Sequence, residues 1–181
     1  MLKGEFVGLR AIEKDDLILL RNWRNNADFR KHFREHRELN LANQENWFLK
    51  TVNNPNDFMF VIINLKTLEP IGAAGLLYTN WIIRSADFSF YIGIDELYID
   101  DKFAPDAIRL LINYGFNNLN LNKIWMELYE YDSKKLKIFQ ELFKFQIDGK
   151  LRKNAFENGV YWDSYIISLL KDEFNSIKTD E

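Results

Sequence analysis

The sequence predicts an α/β fold of the α+β kind: a mixed central sheet of about seven strands with helices on both faces. Three observations carry that prediction. Short apolar runs rich in β-branched and aromatic residues follow one another without an intervening helix in the middle of the chain and again near its end. Apolar residues recur at helical spacing in two later segments, one opening near Pro105 and the other on Lys134. The first of these joins the fourth strand to the fifth, and it supplies the long crossover that a parallel pair needs.

Each element follows in order. Glu5 to Arg10 reads as the first strand. Glu13, Asp15 and Asp16 then precede Leu17, Leu19, Leu20 and Trp23, an acidic start to an apolar stripe, as the positive end of a helix dipole favours. Helical pattern resumes from Ala27 to Phe33, and Asn40 is placed to cap a further helix carrying Trp47, Phe48 and Val52. Asn53, Asn54, Pro55 and Asn56 end it with turn formers. Phe58 to Asn64, Ile71 to Tyr78 and Ser85 to Gly93 form an antiparallel meander, with a turn at Thr67 to Glu69. Pro105 suits a first helical turn because it has no N–H to leave unpaired, and Leu110, Leu111, Tyr114 and Phe116 continue the stripe. Leu121 to Glu130 is the fifth strand. Lys134 to Phe143 is a helix with Leu136, Ile138, Phe139, Leu142 and Phe143 inward, and Phe145 to Arg152, a turn at Glu157, Asn158 and Gly159, and Tyr161 to Leu170 close the sheet.

Composition excludes several classes of function. At 181 residues, without a Ser/Gly-rich linker or a repeat, the chain reads as one domain over residues 1–181. It has no Cys, so disulfides, a thiolate nucleophile and Cys-ligated zinc are ruled out. A net charge of −3 disfavours nucleic acid as a partner, since neutralising phosphates takes a basic surface. No apolar stretch nears the ~20 residues that span a bilayer, and the first residues lack a signal-peptide pattern. The expectation is a soluble, cytoplasmic protein with no membrane partner. His32 and His36 are spaced four apart but lie among Arg30, Lys31, Arg34 and Arg37 with no third ligand signalled, so a solvated basic segment is expected and a metal site is not. That segment is alternatively placed to face an anionic substrate. Most tryptophans sit at core-facing periods, whereas Trp81 falls in a loop, where it would suit a substrate rim.

Several segments together, in their order and spacing, resemble the GNAT superfamily of acyl-CoA-dependent N-acetyltransferases. They are GLRAIEKDDL, WRNN, NQENWF, PIGAAGLL, ADFSFYIG, YGFNNLNLNKIWMELY and LRKNAFENGVYWDSYIISLL. The likeness points to the branch of ribosomal-protein N-terminal and amino-sugar acetyltransferases. It implies acetyl-CoA as cofactor and a small-molecule or peptide amine as acceptor. It also implies a splay between the fourth and fifth strands, where pantetheine bonds to the fourth strand's edge as an added strand would. On that footing Phe90, Tyr91 and Ile92 line the cofactor, backbone N–H groups of Lys102, Phe103, Ala104 and Asp106 face its pyrophosphate, and Ser133 lies at the reacting end. The family's Gln/Arg, Gly and Gly/Ala phosphate signature reads Ile99, Lys102 and Ala104 here. Asp132 or Ser133 stands for its Asn, and Gln140 for the Tyr that protonates the thiolate, while Lys144 replaces a Gly.

Asp87 and Glu127 are the candidate bases, because polar residues interrupt apolar strands there. Tyr131 is the candidate acid. Either such a hydroxyl has taken over protonation, or the thiolate leaves unassisted, or the domain binds an acyl-CoA without turnover as a regulatory module. A homodimer formed through Tyr161 to Leu170 is compatible with each.

Overall fold

In a computed structural model of the chain, residues Met1–Thr179 are described. Eight strands form one sheet: β1 (Leu2–Lys3), β2 (Val7–Ala11), β3 (Phe58–Asn64), β4 (Pro70–Asn80), β5 (Ser85–Ile92), β6 (Lys123–Tyr129), β7 (Gln146–Glu157) and β8 (Val160–Leu170). Their spatial order is β1-β2-β3-β4-β5-β6-β8-β7. The sheet is mixed as expected. β5 and β6 run parallel, whereas β1 with β2, β2 with β3, β3 with β4, β6 with β8 and β8 with β7 run antiparallel. The helices are α1 (Leu17–Asn25), α2 (Ala27–Arg30), α3 (Leu41–Val52), α4 (Phe103–Asn113), α5 (Ser133–Glu141) and α6 (Lys171–Thr179).

The chain gathers into two compact units. One holds Met1–Leu77 with Ser89–Leu111; the other holds Tyr78–Phe88 and the chain from Ile112 onward. In the first, Leu17 and Leu20 of α1, Phe29 of α2 and Phe48 of α3 cluster with Val61, Ile63, Ala73 and Tyr91 of the strands. Asn40 caps α3 reciprocally with Asn43, each side chain accepting from the other's backbone N–H. In the second, Phe139 meets Phe88 at 5.2 Å and Phe145 at 5.0 Å, both edge-on, and Phe116 stacks on Phe174 at 4.9 Å.

Differences from the sequence reading have local causes. The first strand begins at Val7, because the Phe6 and Val7 N–H groups donate to the Asp106 carboxylate, and a short β1 precedes it. The expected helix over Ala27 to Phe33 stops at Arg30, with His32 and Phe33 in turns. The crossover helix starts two residues before Pro105 and passes into a π-helical turn, Tyr114–Asn118. β7 extends to Glu157, and the hairpin to β8 closes through Asn158 (φ 53) and Gly159 (φ 78), the left-handed pair of a type I′ turn. Leu142, expected inward, is exposed, and Lys135 lies buried on the same helix. α6 follows β8 directly, a helix the sequence reading did not contain.

Candidate functional site

Two groups of residues hold the candidate chemistry, one in each unit. The first lies on β5 and the start of α4. Pairing of β5 with β6 covers only Ser85 with Lys123, Ala86 with Ile124 and Asp87 with Trp125. On its other edge β6 stays paired with β8 from Lys123 to Tyr129. β5–β6 pairing thus ends at Asp87 and Trp125, and β5 itself continues through Phe90, Tyr91 and Ile92. Phe90 is core. Tyr91 is buried edge-on against Trp23 and Phe33, and burial pushes its phenol up to about 12, with the charge of Arg24 pulling the other way. The Ile92 N–H donates to the Tyr98 carbonyl at 3.0 Å, and that of Gly93 to Ile71 at 2.8 Å. Gly93 allows the approach of Trp23, since a Cβ there would lie 2.2 Å from the indole.

At the start of α4, the Asp100 carboxylate accepts from the N–H groups of Lys102 (3.2 Å), Phe103 (2.9 Å) and Ala104 (2.7 Å). These are three of the donors that the resemblance assigned to a pyrophosphate. An oxyanion thus already occupies them, and it is the chain's own. Lys102 is exposed, its ammonium over the rings of Phe6 (4.9 Å) and Phe103 (5.1 Å). The Asp106 side chain is buried and turned to the N-terminal segment, where it accepts from Phe6 at 2.7 Å and Val7 at 3.0 Å. Gly4 makes room for it: a Cβ at that position would sit 2.5 Å from the carboxylate.

The second group surrounds the start of α5. Asp87, the last β5 residue paired with β6, is 5% exposed, and so are Asp132 and Lys135. Burial pulls the Lys135 ammonium down to about 8, against the charges of Asp132 and Asp87, which pull it up. Ser133 is exposed at the first position of α5. Glu127 is half-buried on β6, and one of its carboxylate oxygens accepts from Ser164 Oγ at 2.7 Å and Asn154 Nδ2 at 2.6 Å. Neutral donors on β8 and β7 thus orient that carboxylate. Tyr131 lies beyond the end of β6, so it does not share the strand face of Glu127. It packs edge-on against Trp162 at 5.7 Å and beside Tyr129 at 5.4 Å. Burial pushes its hydroxyl well above the usual range, helped by Tyr129, Glu157 and Asp132.

Sequence reasoning missed Asp100 and Lys135. Both left a signal. Asp100 precedes the crossover helix by the interval of a capping carboxylate, and Lys135 lies three and four residues before Ile138 and Phe139, on the buried stripe. The remaining candidates resolve more simply. Arg30 pairs with Glu38, Lys31 with Asp28 at 3.2 Å and Arg37 with Glu35 at 2.6 Å, so the basic segment carries its own counter-charges. His32 stacks on Tyr98 with centroids 4.1 Å apart. Among the described residues no group of three metal-ligating side chains forms. Trp81 is 46% exposed in the turn after β4, beside the exposed Ile82 and Ile83.

Comparison with known proteins aligns almost the whole chain with amine acetyltransferases. The family profile described as acetyltransferase (GNAT) domain matches residues 7–142. The spermidine N(1)-acetyltransferase of Vibrio cholerae serotype O1 is 27% identical over 166 residues, which is 92% of this chain and 94% of the relative. That of Escherichia coli K12 is 25% identical over 174 residues, or 96% and 91%. The crystal structure of the spermidine N-acetyltransferase from Vibrio cholerae in complex with CoA and spermine matches with a TM-score of 0.85 at 27% identity, covering 93% of this chain and 98% of that one. These relatives are spermidine acetyltransferases, not ribosomal-protein or amino-sugar enzymes.

Proposed function

We propose a polyamine acceptor for this chain, which belongs to the GNAT acetyltransferase family and is an acetyl-CoA-dependent N-acetyltransferase acting on a primary amine. The acceptor reading takes its support from the relatives named for spermidine and from the basic segment. With Arg30, Lys31 and Arg37 each facing a carboxylate, that segment offers a poor seat for an anionic, nucleotide-linked amino sugar.

The observation that carries acetyl transfer is the end of β5–β6 pairing at Asp87 and Trp125. Beyond that point an extended amide-bearing arm would bond to main-chain groups of Phe90 and Tyr91, the Ile92 N–H being given to the Tyr98 carbonyl. The charged end of acetyl-CoA is assigned to the start of α4, where the Lys102, Phe103 and Ala104 amides converge on an oxyanion, and the Asp100 carboxylate now held there opposes its binding. When bound, acetyl-CoA supplies the acetyl group as a thioester. The chain's own residues must then accept a proton from the amine and deliver one to sulfur. Asp87 and Glu127 are the bases at hand, and Glu127 is oriented by Ser164 and Asn154. Attack is taken to be direct, as the GNAT resemblance implies, with no covalent enzyme intermediate.

Calorimetric titration with acetyl-CoA, followed by an acceptor panel of spermidine, spermine, an amino sugar nucleotide and a peptide N-terminus, tests the proposal. The expected result is acetylation of the polyamines with kcat/KM about tenfold or more above the others. Preference for the sugar nucleotide or the peptide would overturn the polyamine reading.

A further inference from the structure

The geometry points to Asn154 as the positioning residue for Glu127, delivered to it by a bulge in β7; the role rests on the reading of Glu127 as a base above. Leu151 lies opposite Ser164 and Ala155 opposite Trp162, so β7 takes four steps where β8 takes two. Lys153 sits inside that bulge at φ 52, in the left-handed region that residues other than Gly adopt only at a cost. Asp163 holds it there. One carboxylate oxygen of Asp163 accepts from the Lys153 N–H at 2.7 Å, and the other pairs with the Lys150 ammonium at 2.7 Å. The next residue is Asn154. Its side-chain amide donates to Glu127 Oε1 at 2.6 Å and to Ser164 Oγ at 3.1 Å, while Ser164 Oγ donates to the same Glu127 oxygen at 2.7 Å.

Strands two apart in a sheet lie about 9.5 Å from each other, and side chains on a regular strand stand roughly perpendicular to the sheet. With β8 between them, Asn154 meets Glu127 because the bulge re-aims it. A bulge also blunts a sheet edge, and β7 is an edge strand. That purpose needs neither an amide aimed across β8 nor the hydroxyl of Ser164, 0% exposed, to complete the triangle. Glu127 is the next residue on the same face of β6 after Trp125, the last one paired with β5. Two donors on one oxygen hold its carboxylate in one orientation, and a base must keep its oxygen within hydrogen-bond reach of the proton it takes. In the step, the amine nitrogen bonds to the thioester carbonyl carbon and gives one proton to the Glu127 carboxylate. The carbon–sulfur bond breaks with its electron pair on sulfur, and the proton passes from Glu127 to sulfur through water. An amide and a thiol result, and Glu127 is a carboxylate again. Asn154 acts only through Glu127.

The test uses the whole chain. Asn154→Ala should lower kcat by about tenfold or more and leave KM for acetyl-CoA within about twofold. Asn154→Asp keeps the size and shape of the side chain but has no N–H to give, so it should lose at least as much; a merely structural role would spare it. Glu127→Gln should lower kcat by about 100-fold or more. Adding Asn154→Ala to it should then cost no more than about threefold further, because no base is left to position. NMR of the Asn154 side-chain amide, assigned by its loss in Asn154→Ala, reads the contact without turnover, and its signal should move in Glu127→Gln. A kcat in Asn154→Ala or Asn154→Asp within about twofold of wild type, a further loss of about tenfold on top of Glu127→Gln, or an Asn154 signal indifferent to Glu127→Gln would overturn the inference. Failure of the underlying reading looks different: Glu127→Gln alone would keep its kcat, or the wild-type chain would acetylate no amine.

Discussion

Replacing Asp100 with Asn separates the two things its carboxylate does at the start of α4. The carboxylate caps the helix by accepting from Lys102, Phe103 and Ala104 at 3.2, 2.9 and 2.7 Å. It also holds a negative charge where the pyrophosphate of acetyl-CoA is proposed to bind. Two like charges ~4 Å apart repel by ~1 kcal/mol in bulk water and by ~4 kcal/mol at the lower effective dielectric of a protein surface. Asp100 is half-buried, so a cost of about 1.5 kcal/mol is reasonable, equivalent to about tenfold in affinity. Asn keeps an acceptor oxygen, and as a cap it ranks with Asp, so folding stability should change by only a few tenths of a kcal/mol. The expected outcome in calorimetry is acetyl-CoA bound about tenfold more tightly by Asp100→Asn, with no change for S-acetylpantetheine, which lacks the pyrophosphate. Acetyl-CoA binding no tighter than wild type, or an equal gain for the phosphate-free thioester, would refute the placement of the pyrophosphate on these amides.

Two further outcomes concern folding. Asp106→Ala leaves the Phe6 and Val7 amides without their buried acceptor and should cost about 2–4 kcal/mol in urea unfolding, with little effect on KM for the amine. The Asp16 carboxylate is pushed up by burial, but hydrogen bonds from Arg10 and the Glu13 amide outweigh this and hold it below its ordinary value. Its stabilisation, about 1–3 kcal/mol, is therefore present above the unfolded-state range near pH 4 and is lost as pH falls through the lower folded value. Acid titrations of wild type and Arg10→Gln followed by circular dichroism should show that loss flattened in the variant.

The sequence determined every element whose signal is local. The apolar runs at Phe58–Asn64 and in β4 and β5, the Asn40 cap and the Asn158-Gly159 turn all formed as read, because side-chain period, capping oxygen and left-handed backbone preference act between near neighbours. Asp87 and Glu127 were visible as polar residues interrupting apolar strands and Tyr131 as a nearby hydroxyl, but pattern alone could not say what each one touches. The tertiary structure decided that. It set Asp106 on the N-terminal segment and away from the helix tip, a bond spanning 99 residues to Val7. It joined Glu127 to Ser164 and Asn154 across three strands. It buried the charged side chains of Asp87, Asp132 and Lys135, which come from β5 and from the start of α5. Charge and burial at those positions depend on which distant residues fold against them, and a one-dimensional pattern records only the spacing of a residue from its own neighbours.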